Sequence, residues 1–375
     1  TDLLDSGDAA AALDVTMAAL LRGDVSIHNL INITAALIAY KDIPEMVAIA
    51  QATVNLHPAH AGAWGNLGGT FDVRRRPWEC ITASNEALTL DPNMPSAWNN
   101  LANAYKNVGD NSAAAKAYKS ALDLLDWKDK KILSNYLLML QYTSDLTTEE
   151  KALEHWKYGD LFPEAPKLPR RGIVPGVDQL RIGFLSADFN AHSCAYFLLP
   201  LWEYLSSNGI ELFAYYNANR VDQVTEQLQR NAFVWRDVEN LSDADLRDLI
   251  IDDQLDVLID PAGHTKKNRL GVFGLRAAPV QLTWLGHPNT TGVKQIDWRI
   301  TDEHCDPEGS DHLYAETLYR LPIGNFGVYR PLVNRIAANR KIFKEQAPPC
   351  LSNGYITFGS CNNLAKLNDE CLNLW

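Results

Sequence analysis

Nowhere in the 375-residue chain does an apolar run approach the roughly 18 residues that a membrane-spanning helix requires, so no helical membrane span is expected. The first residues, with Asp2, Asp5 and Asp8 among them, lack both the basic start and the apolar stretch of a secretory signal. No initiator Met stands at the front, so the start is read as missing. Cysteine is sparse: Cys80, Cys194, Cys305, Cys350, Cys361 and Cys371 are widely scattered, with no C-x-x-C. That excludes a disulfide framework or a zinc ribbon and fits reduced thiols in a cytoplasmic compartment. Positive charge is also short, with 34 Lys and Arg against 46 Asp and Glu and a net charge of −12. A nucleic-acid binder needs a basic surface, so that class is excluded. The short basic runs at Arg74-Arg75-Arg76 and Lys128 to Lys131 read as solvated helix ends. Three chemical fingerprints are missing as well: the dinucleotide G-x-G-x-x-G, the phosphate loop ending in G-K-S/T, and the G-x-S-x-G nucleophile elbow.

What is present is a period. Asparagine recurs at Asn32, Asn66 and Asn100, 34 residues apart each time. Trp64 and Trp98, Leu67 and Leu101, Phe71 and Tyr105, Ala87 and Ala121, and Pro58 and Pro92 keep the same interval. This is the signature of the tetratricopeptide repeat, a helix pair that buries its apolar face only against neighbouring pairs. Within one copy, Trp98, Leu101, Ala102 and Tyr105 share one helical face. Gly109-Asp110 breaks that helix, and Ser112 is the expected N-cap of the next, which carries Ala117, Tyr118, Ala121 and Leu122. His57-Pro58 and Asp91-Pro92 close the preceding second helices, because proline disfavours helical geometry in the residue before it. Repeats are expected over 27–60, 61–94 and 95–128, after an irregular helical pair. Tryptophan, leucine and alanine are read as core. The asparagines lie on the first helix of each repeat, where an amide with donors and an acceptor suits the backbone of a bound peptide. A solvated polar face is the plainer alternative.

A weaker helical stretch runs from Lys131 to about Phe162, and Lys167 to Arg171 with Val174-Pro175-Gly176 form a linker. Beyond it the pattern changes to short apolar runs expected as strands: Leu180–Ser186, Ile210–Tyr216, Ala232–Val238, Leu255–Ile259, Val280–Leu285, Trp298–Thr301, Leu318–Leu321 and Tyr355–Phe358. Helices are expected over Tyr196–Ser206, Asp243–Asp253 and Asn268–Arg276. Strands alternating with helices imply a mostly parallel sheet, whose ligands bind at the carboxyl edge. The loops at that edge read Ser186-Ala187-Asp188-Phe189-Asn190-Ala191-His192-Ser193, Asp260-Pro261-Ala262-Gly263-His264-Thr265 and Gly286-His287-Pro288-Asn289-Thr290-Thr291-Gly292. Together they offer one polar site. A metal held by His192, His264 and His287 is the minor reading, since their long separations and the lack of an H-x-x-x-H pair favour structural histidines. Asp188 and His192 stand out because a carboxylate four residues away can orient an imidazole as a base.

These residues resemble the family 41 glycosyltransferases, which comprise the nucleocytoplasmic protein O-GlcNAc transferases and the SPINDLY-type protein O-fucosyltransferases of plants. The likeness spans nearly the whole chain: the repeats with their asparagines, then RIGFLSADFNAHS, DPAGHT, LRAAPVQLTWLGHPNTTG, DWRITD and ITFGSCNNLAKL. GHT, WLGHPNTTG and FGSCNNLAK look more like the SPINDLY and bacterial members than the animal enzyme. The resemblance implies an α-solenoid of tetratricopeptide repeats (1–130), a helical connector and linker (131–177), an α/β Rossmann-like N-terminal lobe of a GT-B glycosyltransferase (178–345), and the truncated start of a nucleotide-binding lobe (346–375). It makes Asp188 and His192 the residues near the reacting sugar, and Leu285, Gly286 and Pro288 the border of the donor sugar. Lys366 becomes the lysine that contacts the donor diphosphate and aids its departure, with Asn363 just before it. His264 and Thr290, on the same edge loops, are counted with the donor site. Ala365 departs from the tyrosine of the animal enzyme.

The implied activity is inverting transfer of GlcNAc from UDP-GlcNAc to Ser/Thr hydroxyls of intracellular proteins, with the acceptor gripped by Asn32, Asn66 and Asn100. Transfer of fucose from GDP-fucose, and a non-catalytic repeat scaffold, are the alternatives. No metal, other cofactor, nucleic acid or membrane partner is expected. The chain as given is expected to be inactive alone.

Overall fold

The computed structural model describes residues 14–16, 18, 26–38, 45–172, 178–322, 324, 347–362, 366–367 and 369–375. The chain divides into two compact units, residues 1–146 with 363–375 and residues 147–362. No helix among the described residues is long and apolar enough to cross a membrane.

The first unit is a run of helical hairpins: α1 (Ile27–Ile38) with α2 (Met46–Leu56), α3 (Ala61–Val73) with α4 (Pro77–Leu90), and α5 (Pro95–Val108) with α6 (Asn111–Leu124), followed by α7 (Lys130–Leu140). These bounds reproduce the 34-residue copies. Proline opens α4 and α5, where its missing N–H has no intrahelical partner to lose. Leu67, Leu101, Ala87 and Ala121 are buried as the period requires. The tryptophans are only half-buried. Trp64 and Trp98 each donate the indole N–H to a proline carbonyl six residues back, Pro58 O at 2.8 Å and Pro92 O at 2.9 Å. They fasten each repeat to the turn before it. The expected Ser112 cap is corrected: Asp110 caps α6, its carboxylate accepting from Ala113 N at 2.9 Å. Gly109, in the left-handed region, stops α5 one residue earlier and leaves Asp110 in the capping position.

The second unit begins with α8 (Thr148–Gly159), entered through a capping box between Thr147 and Glu150. The helical connector expected over 131–177 is therefore divided, α7 going with the repeats and α8 with the sheet. There follow β1 (Arg181–Ser186), α9 (Ser193–Ser207), β2 (Glu211–Tyr216), α10 (Gln223–Arg230), β3 (Val234–Asp237), α11 (Asp243–Asp252), β4 (Val257–Asp260), α12 (Leu270–Gly274), β5 (Val280–Thr283), β6 (Trp298–Thr301) and β7 (Thr317–Arg320). The seven strands form one sheet in the order β3-β2-β1-β4-β5-β6-β7, every pairing parallel. That is a Rossmann-like winding, extended by one strand. β1 and β2 are almost continuously buried, as strands covered on both faces must be. Phe184, Phe189, Trp202, Tyr216, Ile259 and Trp284 lie at the centre of the core.

One expected strand is absent. Tyr355–Phe358 has no strand assignment, and Tyr355, Ile356 and Phe358 are exposed. Its composition suits a strand, but no neighbouring strand among the described residues completes its hydrogen bonds.

Candidate active site

The strand order reverses direction between β1 and β4, and the loops that leave their carboxyl ends border the cleft such a sheet provides. The loop after β1 is pinned at its centre by Phe189, buried among Trp202, Tyr216 and Trp235. Asn190 Nδ2 donates to Ala187 O at 3.0 Å, and Ala191 N donates to Asp222 Oδ2 at 2.8 Å, tying this loop to the one after β2. Asp188 and His192 lie at the accessible side of this frame. Burial pushes the Asp188 carboxyl above the usual range, and the nearby His192 counters part of that shift. The two side chains meet without a hydrogen bond, with Nδ1 3.7 Å from Oδ2. Instead, His192 Nδ1 accepts from Cys194 N at 3.3 Å and caps α9. With Nδ1 accepting, the neutral ring carries its hydrogen on Nε2.

After β4, Asp260 turns back on its own loop. Its carboxylate accepts from Ala262 N at 3.0 Å, Gly263 N at 2.9 Å and Thr283 Oγ1 at 2.9 Å. Complete burial still raises its pKa to about 6. The loop after β5 opens with Leu285 at φ 83°, a conformation that costs a non-glycine residue energy and is kept only where the surroundings enforce it. Leu285 and Gly286 are partly accessible and Pro288 is exposed, as a loop bordering a ligand requires. Beneath them Arg299 donates to His287 O at 3.0 Å and Asn289 O at 2.9 Å, and pairs with buried Asp306 at 3.3 Å. Buried Glu316 accepts from Thr290 Oγ1 at 2.6 Å, from Thr291 N at 2.8 Å and from Thr291 Oγ1. Glu316→Gln keeps the volume but replaces a charged acceptor by an amide whose NH2 group cannot accept. The expected cost is about 2 kcal/mol, read as a lower urea midpoint. An unchanged midpoint would show that other contacts hold the loop.

Two expected donor contacts are corrected by burial. Thr290 is fully enclosed and its hydroxyl is committed to Glu316. His264 is 1% exposed, and its Nε2 lies 2.9 Å from Thr291 O. Neither presents surface to a ligand; both shape the loops that do. His264 and His287 instead join a histidine from outside the edge loops, His155 on α8. His192, grouped with them in the minor metal reading, is not part of this cluster. Nothing in the local sequence marks His155, because its partner His287 is 132 residues away. Arg299 and Glu316 are similarly unmarked, although Arg299 lies within the DWRITD segment.

In the repeat unit, Asn66 Nδ2 donates to Ile31 O at 2.7 Å and Asn100 Nδ2 to Gly65 O at 3.2 Å, each reaching 35 residues back. These amides brace one repeat on the last, which corrects the reading of all three as groups presented only to an acceptor. Asn32 is exposed, its amide 3.1 Å from His28 Nε2. Lys366 is exposed, and Asn363 and Ala365 lie outside the described residues. A cavity of about 290 Å³, lined by Leu168, Arg171, Leu255 and Pro279 among others, opens at the amino edge of the sheet, away from these loops.

The sequence profile of glycosyl transferase family 41 matches residues 165–369. A relative from Solanum lycopersicum, described as a probable UDP-N-acetylglucosamine–peptide N-acetylglucosaminyltransferase SPINDLY, is 32% identical over 258 residues, covering 64% of this chain and 26% of its own. The corresponding SEC protein of Arabidopsis thaliana is 29% identical over 201 residues, 53% of this chain and 21% of its own. A solved mutant of the O-GlcNAc transferase from Thermobaculum terrenum superposes with a TM-score of 0.66 at 26% identity, covering 84% of this chain and 58% of that one. The chain spans about a quarter of the length of the curated relatives it matches.

Proposed function

Because the chain belongs to glycosyl transferase family 41, we propose that the whole protein is an inverting protein glycosyltransferase. It moves GlcNAc from UDP-GlcNAc onto Ser/Thr hydroxyls. One observation supports this most: the winding of the sheet sets the Asp188–His192 loop and the Leu285–Gly286–Pro288 loop at one edge, two strands apart. At the usual strand spacing that is about 10 Å, the span of a sugar lying over the buried loop after β4. The relatives' names supply the donor.

In this reading Leu285, Gly286 and Pro288 border the sugar. His192 takes the acceptor proton after exchanging its Cys194 contact for Asp188, a movement of under about 1 Å to reach hydrogen-bond distance. The new bond would put the hydrogen on Nδ1 and leave Nε2 as the base. Lys366, with Asn363 before it, would stabilise the departing diphosphate as a compact cation. The repeats would hold the acceptor chain through Asn32 and the amide oxygens of Asn66 and Asn100.

The test uses the full-length protein with UDP-GlcNAc or GDP-fucose and an acceptor lysate, with mass spectrometry of modified Ser and Thr. GlcNAc transfer that falls about 100-fold in His192→Ala supports the reading. Transfer of fucose alone would replace the donor, and transfer of neither sugar would leave a repeat scaffold.

A further inference from the structure

We propose that His155, His264 and His287 form a buried site for one divalent transition-metal ion, Zn²⁺ by preference, which clasps α8 to the carboxyl-edge loops. The three imidazoles come from separate parts of the second unit, and one ligand-type nitrogen from each lies within 4.8 Å of the others. All three residues are at most 2% exposed. His155 Nε2 and His287 Nε2 are 3.1 Å apart. Two nitrogens bound to one tetrahedral Zn²⁺ at its usual bond length would be about 3.3 Å apart, so this pair needs little movement to accept the ion.

The outer contacts have the form a metal site requires. A backbone carbonyl only accepts, so His155 Nδ1, 2.6 Å from Lys151 O, carries a hydrogen and leaves the Nε2 lone pair facing inward. His264 Nε2, against Thr291 O, is likewise the protonated nitrogen of its ring. Imidazoles anchored through the remote N–H to a carbonyl are the usual support of a bound ion. His287, which would ligate through Nε2, is the exception: its buried Nδ1 has no hydrogen-bond partner.

The charge of the ion also finds compensation. Asp260 holds the backbone beside His264, and Glu316 holds Thr291; both carboxylates are buried. Of the two cations that act on His155, Arg299 and Lys151, Arg299 is paired with Asp306. Three neutral nitrogens with one open position favour Zn²⁺ over Mg²⁺ or Ca²⁺, which prefer oxygen ligands.

The experiment uses the full chain, stripped with a chelator and titrated with Zn²⁺ and, separately, Co²⁺. The expected result is one equivalent bound, the intense visible absorption of four-coordinate Co²⁺, and a melting temperature higher by about 5–10 °C at metal a hundredfold above Kd. His155→Gln should weaken binding by about 100-fold or more. X-ray absorption at the zinc edge of the wild-type chain counts imidazoles directly, and so decides the matter even if the variant folds poorly. Failure to bind an equivalent, a spectrum without three imidazoles, or unchanged affinity in His155→Gln would overturn the proposal. So would binding that is lost only in His192→Ala, which would place the ion at Asp188, His192 and Cys194, the other close set of ligand atoms.

Discussion

Gly292→Ala is expected to destabilise the second unit by about 3–5 kcal/mol and lower its melting temperature by about 10 °C. Two costs coincide at this residue. Its φ of 74° is a left-handed conformation that a Cβ disfavours, and that Cβ would stand 2.0 Å from His155 O. The obstacle is backbone, in the middle of α8, and cannot rotate away. Gly159 makes the reciprocal approach, since a Cβ there would meet Gly292 O at 1.9 Å. The two glycines let helix and loop pack main chain against main chain. Gly309→Ala separates the two costs: its φ is 93° and nothing lies within 4 Å of the added carbon. It should cost only about 1 kcal/mol. Equal losses in the two variants, measured by thermal unfolding, would show that α8 is not packed in this way.

Acidification is expected to be nearly as damaging. Burial holds the imidazole of His155 down to about 4 and, helped by its histidine neighbour, that of His264 down to about 3. Burial and the neighbouring rings hold His287 well below its ordinary value too. As the pH falls through 6.5, the unfolded chain takes protons on these rings while the folded chain refuses them, so stability present at neutral pH is lost. Asp260 works the other way. Its folded pKa, raised to about 6, lets the native state take a proton before the unfolded chain does, which returns some stability between pH 6 and 4. Three histidines outweigh one carboxyl, and the net loss from pH 7 to pH 5 is on the order of 4 kcal/mol. Urea midpoints at the two pH values, with chelator present to keep metal out, measure it. A midpoint that holds or rises on acidification would mean that the imidazoles are not enclosed and neutral.

The legibility of the chain follows the range of the forces involved. The repeats are written locally, because each helix pair meets a neighbour 34 residues away through residues of the same kind, and the hairpins appear where the period places them. Buried parallel strands are short apolar runs, and Trp298–Thr301 is bounded as its composition indicates. The helix Gln223–Arg230 leaves almost no apolar trace, since only Thr225 and Leu228 are buried on it. Tyr355–Phe358 shows the reverse: strand composition without a strand partner. At the candidate site, the chemistry-bearing loops are visible because they follow strand ends. Which of their residues face outward is not. His264 and Thr290 look like ligand contacts in a linear reading, yet their side chains turn inward to partners far along the chain.

The docking of α8 also decides where this protein can be taken apart. The linker that the sequence offers from Lys167 to Gly176 looks like the natural seam. A cut there removes His155, Tyr158 and Gly159 from the sheet and bares a loop shaped to receive a helix backbone. The exchangeable module begins at the Thr147 capping box, upstream of that seam. A recombination event that grafts this sheet onto a different repeat array preserves the lobe only if the crossover falls before Thr147.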